Sequence, residues 1–137
     1  EDRIMLLLAT MERELALRET PTDKLRCIVD LQLGLLEGER DLAEVITVNL
    51  RQSTRLMKQY AAPKFGLYLD VIADVVHQGQ KAGEFRHDVS PHVMARTIFG
   101  ALDGLTMTWA LGKADPGGLT RTAKQVTEVI LQGLSAR

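Results

Sequence analysis

The chain has 137 residues, enough for one compact domain with a single core and too few for two. Apolar residues make up 45% of it and aromatics only 4%, so Leu, Ile, Val, Met and Ala must fill most of the interior. Its 17 basic and 18 acidic side chains leave a net charge of −1, without the cationic excess a domain needs to hold DNA by itself.

Helical spacing recurs along the chain between clear stop signals, and no linker-like or repeated stretch divides it. The first segment, residues 1–19, places Ile4, Leu8, Met11 and Leu15 at intervals of three or four, and Leu7 widens the stripe. Its apolar run from Ile4 to Ala9 is too short for a signal-peptide core and follows acidic residues. Nothing approaches the roughly 20 apolar residues of a bilayer span. At Glu19-Thr20-Pro21-Thr22-Asp23 the pattern breaks, with Pro21 ending one helix and Thr22 or Asp23 capping the next. That second helix, residues 23–37, buries Leu25, Ile28, Val29, Leu35 and Leu36 and stops at Gly38. Cys27, the single cysteine, reads as a buried inert thiol; it permits no internal disulfide and favours a cytoplasmic location.

A third helix, residues 40–52, opens on Asp41 and carries Leu42, Val45, Ile46 and Leu50. The fourth, residues 54–82, contains Pro63, whose ring either kinks or breaks it. Beyond that point Phe65, Tyr68, Leu69, Ile72, Val75 and Val76 form a wide apolar face, and Gly83 reads as a left-handed C-cap. Ser90-Pro91 is a strong helix start, with Ser as N-cap and Pro in the first turn. The fifth helix runs to Leu111, a loop at Asp115-Pro116-Gly117-Gly118 follows, and a last helix spans residues 119–135 with Leu119, Ala123, Val126, Ile130 and Leu134. Six helical segments without a strand pattern define an all-α domain.

The fifth helix has two usable faces. Met94, Ile98, Leu102, Leu105 and Trp109 make one stripe, while Gly100, Gly104 and Thr108 lie four apart on another, where small residues let a second helix approach closely. With Val126, Ile130, Gly133 and Leu134 of the last helix, these residues are expected to form a two-on-two helix interface of a homodimer. The alternative is that Gly100 and Gly104 pack against a neighbour in their own chain.

At this point the residues carry a resemblance. Gly79-Gln80-Lys81-Ala82-Gly83-Glu84-Phe85-Arg86 resembles the junction between two long helices in TetR-type transcriptional regulators. Gly100-Ala101-Leu102-Asp103-Gly104-Leu105 with Trp109, and the ending Leu131-Gln132-Gly133-Leu134, follow in the family's order. Glu44 to Ser53, together with Ile98-Phe99-Gly100-Ala101-Leu102-Asp103, is similar to the FadR-type branch, which responds to fatty acyl-CoA. The family's three-helix DNA-binding head has no counterpart here, in keeping with the neutral charge and a first residue that is Glu rather than Met. Residues 1–137 are therefore expected to be an effector-binding and dimerisation domain, reaching operator DNA only through a separate N-terminal head.

The resemblance implies a six-helix sensor in which a hydrophobic effector enters between the helices and moves the first of them. The candidate lining is Met11, Leu15, Leu33, Leu50, Tyr68, Ile72, Phe99 and Met107, although for any one of them ordinary core is the better reading. Should the effector carry coenzyme A, its phosphates call for cations such as Arg51 and Arg55, which cluster in sequence with Lys58 and Lys64. Asp103 could meet a ligand or hydrogen-bond across the dimer. His77, His87 and His92 are spaced ten and five apart, matching no metal signature, so no metal or cofactor is expected. No nucleophile–base pair or phosphate loop suggests an enzyme. A multidrug-type sensor and a ligand-free dimerisation module remain the alternatives.

Overall fold

The computed structural model describes residues 2–38, 62–112 and 115–136. These form five helices: α1 (Asp2–Ala16), α2 (Pro21–Glu37), α3 (Ala62–Lys81), α4 (Pro91–Leu111) and α5 (Gly118–Leu134). Among the described residues there is no strand, only an isolated antiparallel bridge between Phe85 and Ser135. The expected third helix, the first residues of the fourth and Leu50, Arg51, Arg55 and Lys58 lie outside the described residues. No helix among those described is long and apolar enough to cross a membrane.

All the other described helices rest on α2. Its apolar positions recur at three- and four-residue intervals, so Leu25, Ile28, Val29 and Leu33 share one broad face, and all four are fully buried. Burial of each such side chain contributes ~1.5–3 kcal/mol. The short turn after α1 sends α2 back along it. Lys24 bonds to Gln78 and Tyr68 to Gln32, so α3 also runs antiparallel to α2. Consequently α1 and α3 are parallel to each other, and they touch only sparsely. On its other side α2 meets α5, with Arg26 and Glu128 3.9 Å apart.

The start of α2 differs from expectation. Thr20, not Thr22 or Asp23, is the N-cap: its hydroxyl accepts from the Asp23 N–H at 3.1 Å and its carbonyl from Lys24 at 2.9 Å. Pro21 does not stand between helices but opens α2, where its lack of an N–H costs nothing. The remaining orphan donor, the Thr22 N–H, bonds to the Glu84 carboxylate at 3.1 Å, and the Thr22 hydroxyl reaches the same oxygen at 2.7 Å. Likewise Glu37 at the far end of α2 accepts from the N–H of Thr120 at 2.8 Å, in the first turn of α5. Both tethers place a carboxylate at a helix N-terminus, where the backbone dipole favours it.

The α3–α4 junction forms as its residues dictate. Gly83 takes φ +80°, a conformation glycine reaches without Cβ strain, and the Glu84 N–H then closes back on the Gly79 carbonyl at 2.9 Å. Phe85 turns inward against Gly79: a Cβ there would lie 2.0 Å from the Phe85 ring. Gln80 donates to the carbonyls of Arg86 and Val89, and Ser90 caps α4 by accepting from Val93. Trp109 donates its indole N–H to the Asp115 carbonyl and so pins the loop into α5, whose N-cap Gly117 has φ +77°.

Candidate functional site

The interior brings most of the expected lining residues together. Met11 and Leu15 of α1, Leu33 of α2, and Tyr68 and Ile72 of α3 are all buried in one apolar cluster. Phe99 of α4 packs against it, edge-on to Tyr68 with ring centroids 5.7 Å apart. Met107 is half-buried farther along α4 and stands apart from that cluster.

Within this apolar volume sits one polar pair that the sequence reading missed. Gln32 and Tyr68 are both about 3% exposed, and the Tyr68 hydroxyl donates to Gln32 Oε1. Burial pushes the Tyr68 hydroxyl far above its ordinary pKa, so it stays a neutral donor. Gln32 was detectable: it falls seven residues after Leu25 and four after Ile28, a polar residue at an apolar position of the stripe. A buried, hydrogen-bonded pair in a core of Leu, Ile, Val and Met can exchange its internal bond for one to a ligand.

A separate groove of about 690 Å³ opens between α1 and α3. Met5, Leu8, Leu15, Leu67, Val71 and Val75 form its apolar part, while Glu12, Asp70 and Asp74 bring negative charge and Lys24 positive. None of the expected lining residues except Leu15 faces it.

The surface of α4 and α5 accounts for the other expected residues. Gly100 and Thr108 are exposed and Gly104 half-buried, and a Cβ at Gly100, Gly104 or Gly133 would meet nothing within 4 Å. Among the described residues, therefore, none packs closely against these three glycines. Val93 and Leu111 extend the stripe at both ends, and Val129 of α5 is 74% exposed between the half-buried Val126 and Ile130. Leu134 needs correcting: it is fully buried in its own chain, where its carbonyl accepts from Arg86, so its side chain has no surface to offer a partner.

Asp103 is buried and engaged in an interaction, and Cys27 is buried as expected, its thiol pKa pushed up by desolvation and opposed by nearby Arg18. The fold brings His77 and His92 to a common hollow with Asp70 and Asp74. Among the described residues, no three His, Cys, Asp or Glu groups are arranged to hold a metal ion.

Comparison with known proteins places this geometry. The model of the family described as "YsiA-like protein, C-terminal region" matches residues 1–133. The chain is 26% identical over 126 residues to the fatty acid metabolism regulator protein of Bacillus subtilis (strain 168), covering 90% of this chain and 63% of that protein. In fold it is similar to the transcriptional regulator FadR from Bacillus subtilis, crystallised with stearoyl-CoA, with a TM-score of 0.88, 23% identity, and 97% of this chain and 71% of that one covered. It is equally similar to the fatty acid degradation regulator FadR from Bacillus halodurans, with a TM-score of 0.89, 22% identity and the same coverage. The chain thus spans less than two thirds of its relative's length, and it belongs to the YsiA-like C-terminal family of TetR-type regulators.

Proposed function

We propose that the chain is the effector-sensing and dimerisation domain of a transcriptional repressor, and that its effector is a long-chain fatty acyl-CoA. The observation that carries this reading is the match, over 90% of the chain, to a regulator of fatty acid metabolism. The interior supports it chemically. An acyl chain gains ~0.8 kcal/mol per methylene by leaving water, and the cluster around Met11, Leu33, Ile72 and Phe99 offers apolar contacts of that kind. The Gln32–Tyr68 pair supplies a donor and an acceptor for the thioester end of the chain. Arg51 and Arg55, with Lys58 and Lys64, are proposed to meet the phosphates.

In this reading α1 is the moving part. It leans on α2 and touches α3 sparsely, so a ligand wedged beneath Met11 and Leu15 changes its tilt at low cost. A DNA-binding head attached ahead of α1 then changes its spacing relative to the head of a second subunit. The ligand shifts this equilibrium only through its different affinities for the two tilts. The homodimer is proposed to form through the stripe Val93, Thr97, Gly100, Gly104, Thr108 and Leu111, together with Val126, Val129, Ile130 and Gly133. The domain acts as a regulator in the cytoplasm rather than as an enzyme.

Native mass spectrometry with acyl-CoA thioesters of graded length tests this. The expected species is a dimer carrying one long-chain thioester per subunit, with thermal stabilisation that grows with ligand concentration. A dimer indifferent to every thioester would remove the effector assignment, and a monomer would remove the interface.

A further inference from the structure

The groove between α1 and α3 has chemistry opposed to that of the proposed effector. Because the two helices run parallel, their residues face each other in steps: Met5, Leu8 and Ala9, Glu12, then Leu15 and Ala16 on α1, and Leu67, Asp70 and Val71, Asp74 and Val75, then Gln78 on α3. Eleven steps of 1.5 Å, from Met5 to Ala16 and from Leu67 to Gln78, give a trough about 16 Å long. Its volume of about 690 Å³ lies within the ~300–1,000 Å³ range of small-molecule sites. Met5 and Leu67 are each about half exposed, so apolar surface is open to solvent at one end.

The charges are unevenly engaged. Lys24 Nζ donates to Gln78 Oε1 at 2.8 Å, and Gln78 Nε2 donates to Asp74 Oδ2 at 2.7 Å. Among the described residues, that relay ties the groove's one cation and one of its three carboxylates together at the Gln78 end. Glu12 and Asp70 make no hydrogen bond or ion pair with any described residue. A coenzyme A polyphosphate is repelled from such a trough, whereas an alkyl chain with a positive head complements it along its length.

We infer that the α1–α3 groove is a second ligand site, for an amphiphilic organic cation whose alkyl part lies along Leu8, Leu67 and Val71 and whose ammonium group meets Glu12 and Asp70. Occupancy bridges the seam where α1 is least seated, so such a cation biases the helix tilt from outside while the interior remains available to the acyl effector. The site stands or falls independently of the acyl-CoA assignment, because it shares only Leu15 with the proposed effector lining.

The test is isothermal titration of the chain with dodecyltrimethylammonium below its micellar concentration, with dodecyl sulfate as an anion of the same chain length. The cation is expected to saturate at one per chain and to weaken as salt rises. Exposed ion pairs each contribute a factor of about two to five, so Glu12→Gln with Asp70→Asn weakens it roughly fourfold to twenty-five-fold. Glu128→Gln, on the α2–α5 side, leaves it unchanged. Ala9→Trp, which fills the trough, abolishes it, and the circular dichroism spectrum checks that this variant folds. Equal affinity for the anion, undiminished binding in the double variant, or no saturable binding of the cation would each overturn the site.

Discussion

At the scale of single residues, the hydrogen bond between Tyr68 and Gln32 is the feature with the largest stake. Tyr68→Phe removes the donor and leaves a buried amide acceptor unsatisfied, which costs ~1–3 kcal/mol. Adding Gln32→Leu removes the orphan and restores most of that loss, so the two substitutions are strongly non-additive in urea denaturation. Tyr68 was legible as part of an apolar face, but its partner was passed over because polar residues on a helix usually face water. Gly79 is a second such residue. Gly79→Ala drives a Cβ into the Phe85 ring and is expected to cost ~1–3 kcal/mol, with part of the loss recovered by Phe85→Leu. Cys27 sets a pH dependence. Its folded pKa is raised above the ordinary 9.0, so below that value both states hold the proton and stability is unaffected. Above it the unfolded chain loses the proton first, and stability falls as pH climbs through the raised folded value. Denaturation midpoints of wild type and Cys27→Ala at pH 7 and 10 check the sign: only the wild type should lose this contribution.

At the scale of elements, the helices were legible where local chemistry decides them and misread where distant residues do. Ser90-Pro91 and Gly83 specify their caps through their own backbone preferences, and both appear as expected. The start of α2 shifted because Thr20 caps it and the Glu84 carboxylate, 62 residues away, satisfies the next free N–H. No spacing rule reveals a carboxylate that far along the chain. Glu37 and Thr120 are 83 residues apart and pose the same problem. Glu84→Ala and Glu37→Ala are each expected to cost ~0.5–2 kcal/mol, the range for losing an N-terminal cap. Thermal melts measure the loss. Amide hydrogen exchange should localise it to the first turn of α2 in one variant and of α5 in the other.

At the scale of the whole molecule, the all-α class and the surplus of apolar and small residues on α4 and α5 could be read from periodicity, which fixes faces without knowing their partners. The exposed Val93, Leu111 and Val129 escaped that reading, because exposure depends on where the neighbouring helices end. Leu134 was misplaced for the same reason: a residue at the chain's last helical turn looked peripheral, yet the α3–α4 junction closes over it. The α1–α3 groove could not be read at all, since it exists only because α2 holds two parallel helices at its flanks. Substituting Val129→Asp and Gly104→Glu together is expected to yield a folded monomer in sedimentation analysis. Retention of a dimer would place the subunit contact elsewhere.

The tethers at the two ends of α2 also order events during synthesis. Thr20 caps the helix locally, but the neighbouring Thr22 N–H waits for residue 84, and the group that Glu37 caps waits for residue 120. Most of the chain must therefore be made before the central helix is held at both ends, and a nascent chain paused before α5 exposes the apolar side of α2 that the last helix will cover. Such a paused chain is a natural client for chaperones, and its window of vulnerability closes only as the last seventeen-residue helix is delivered.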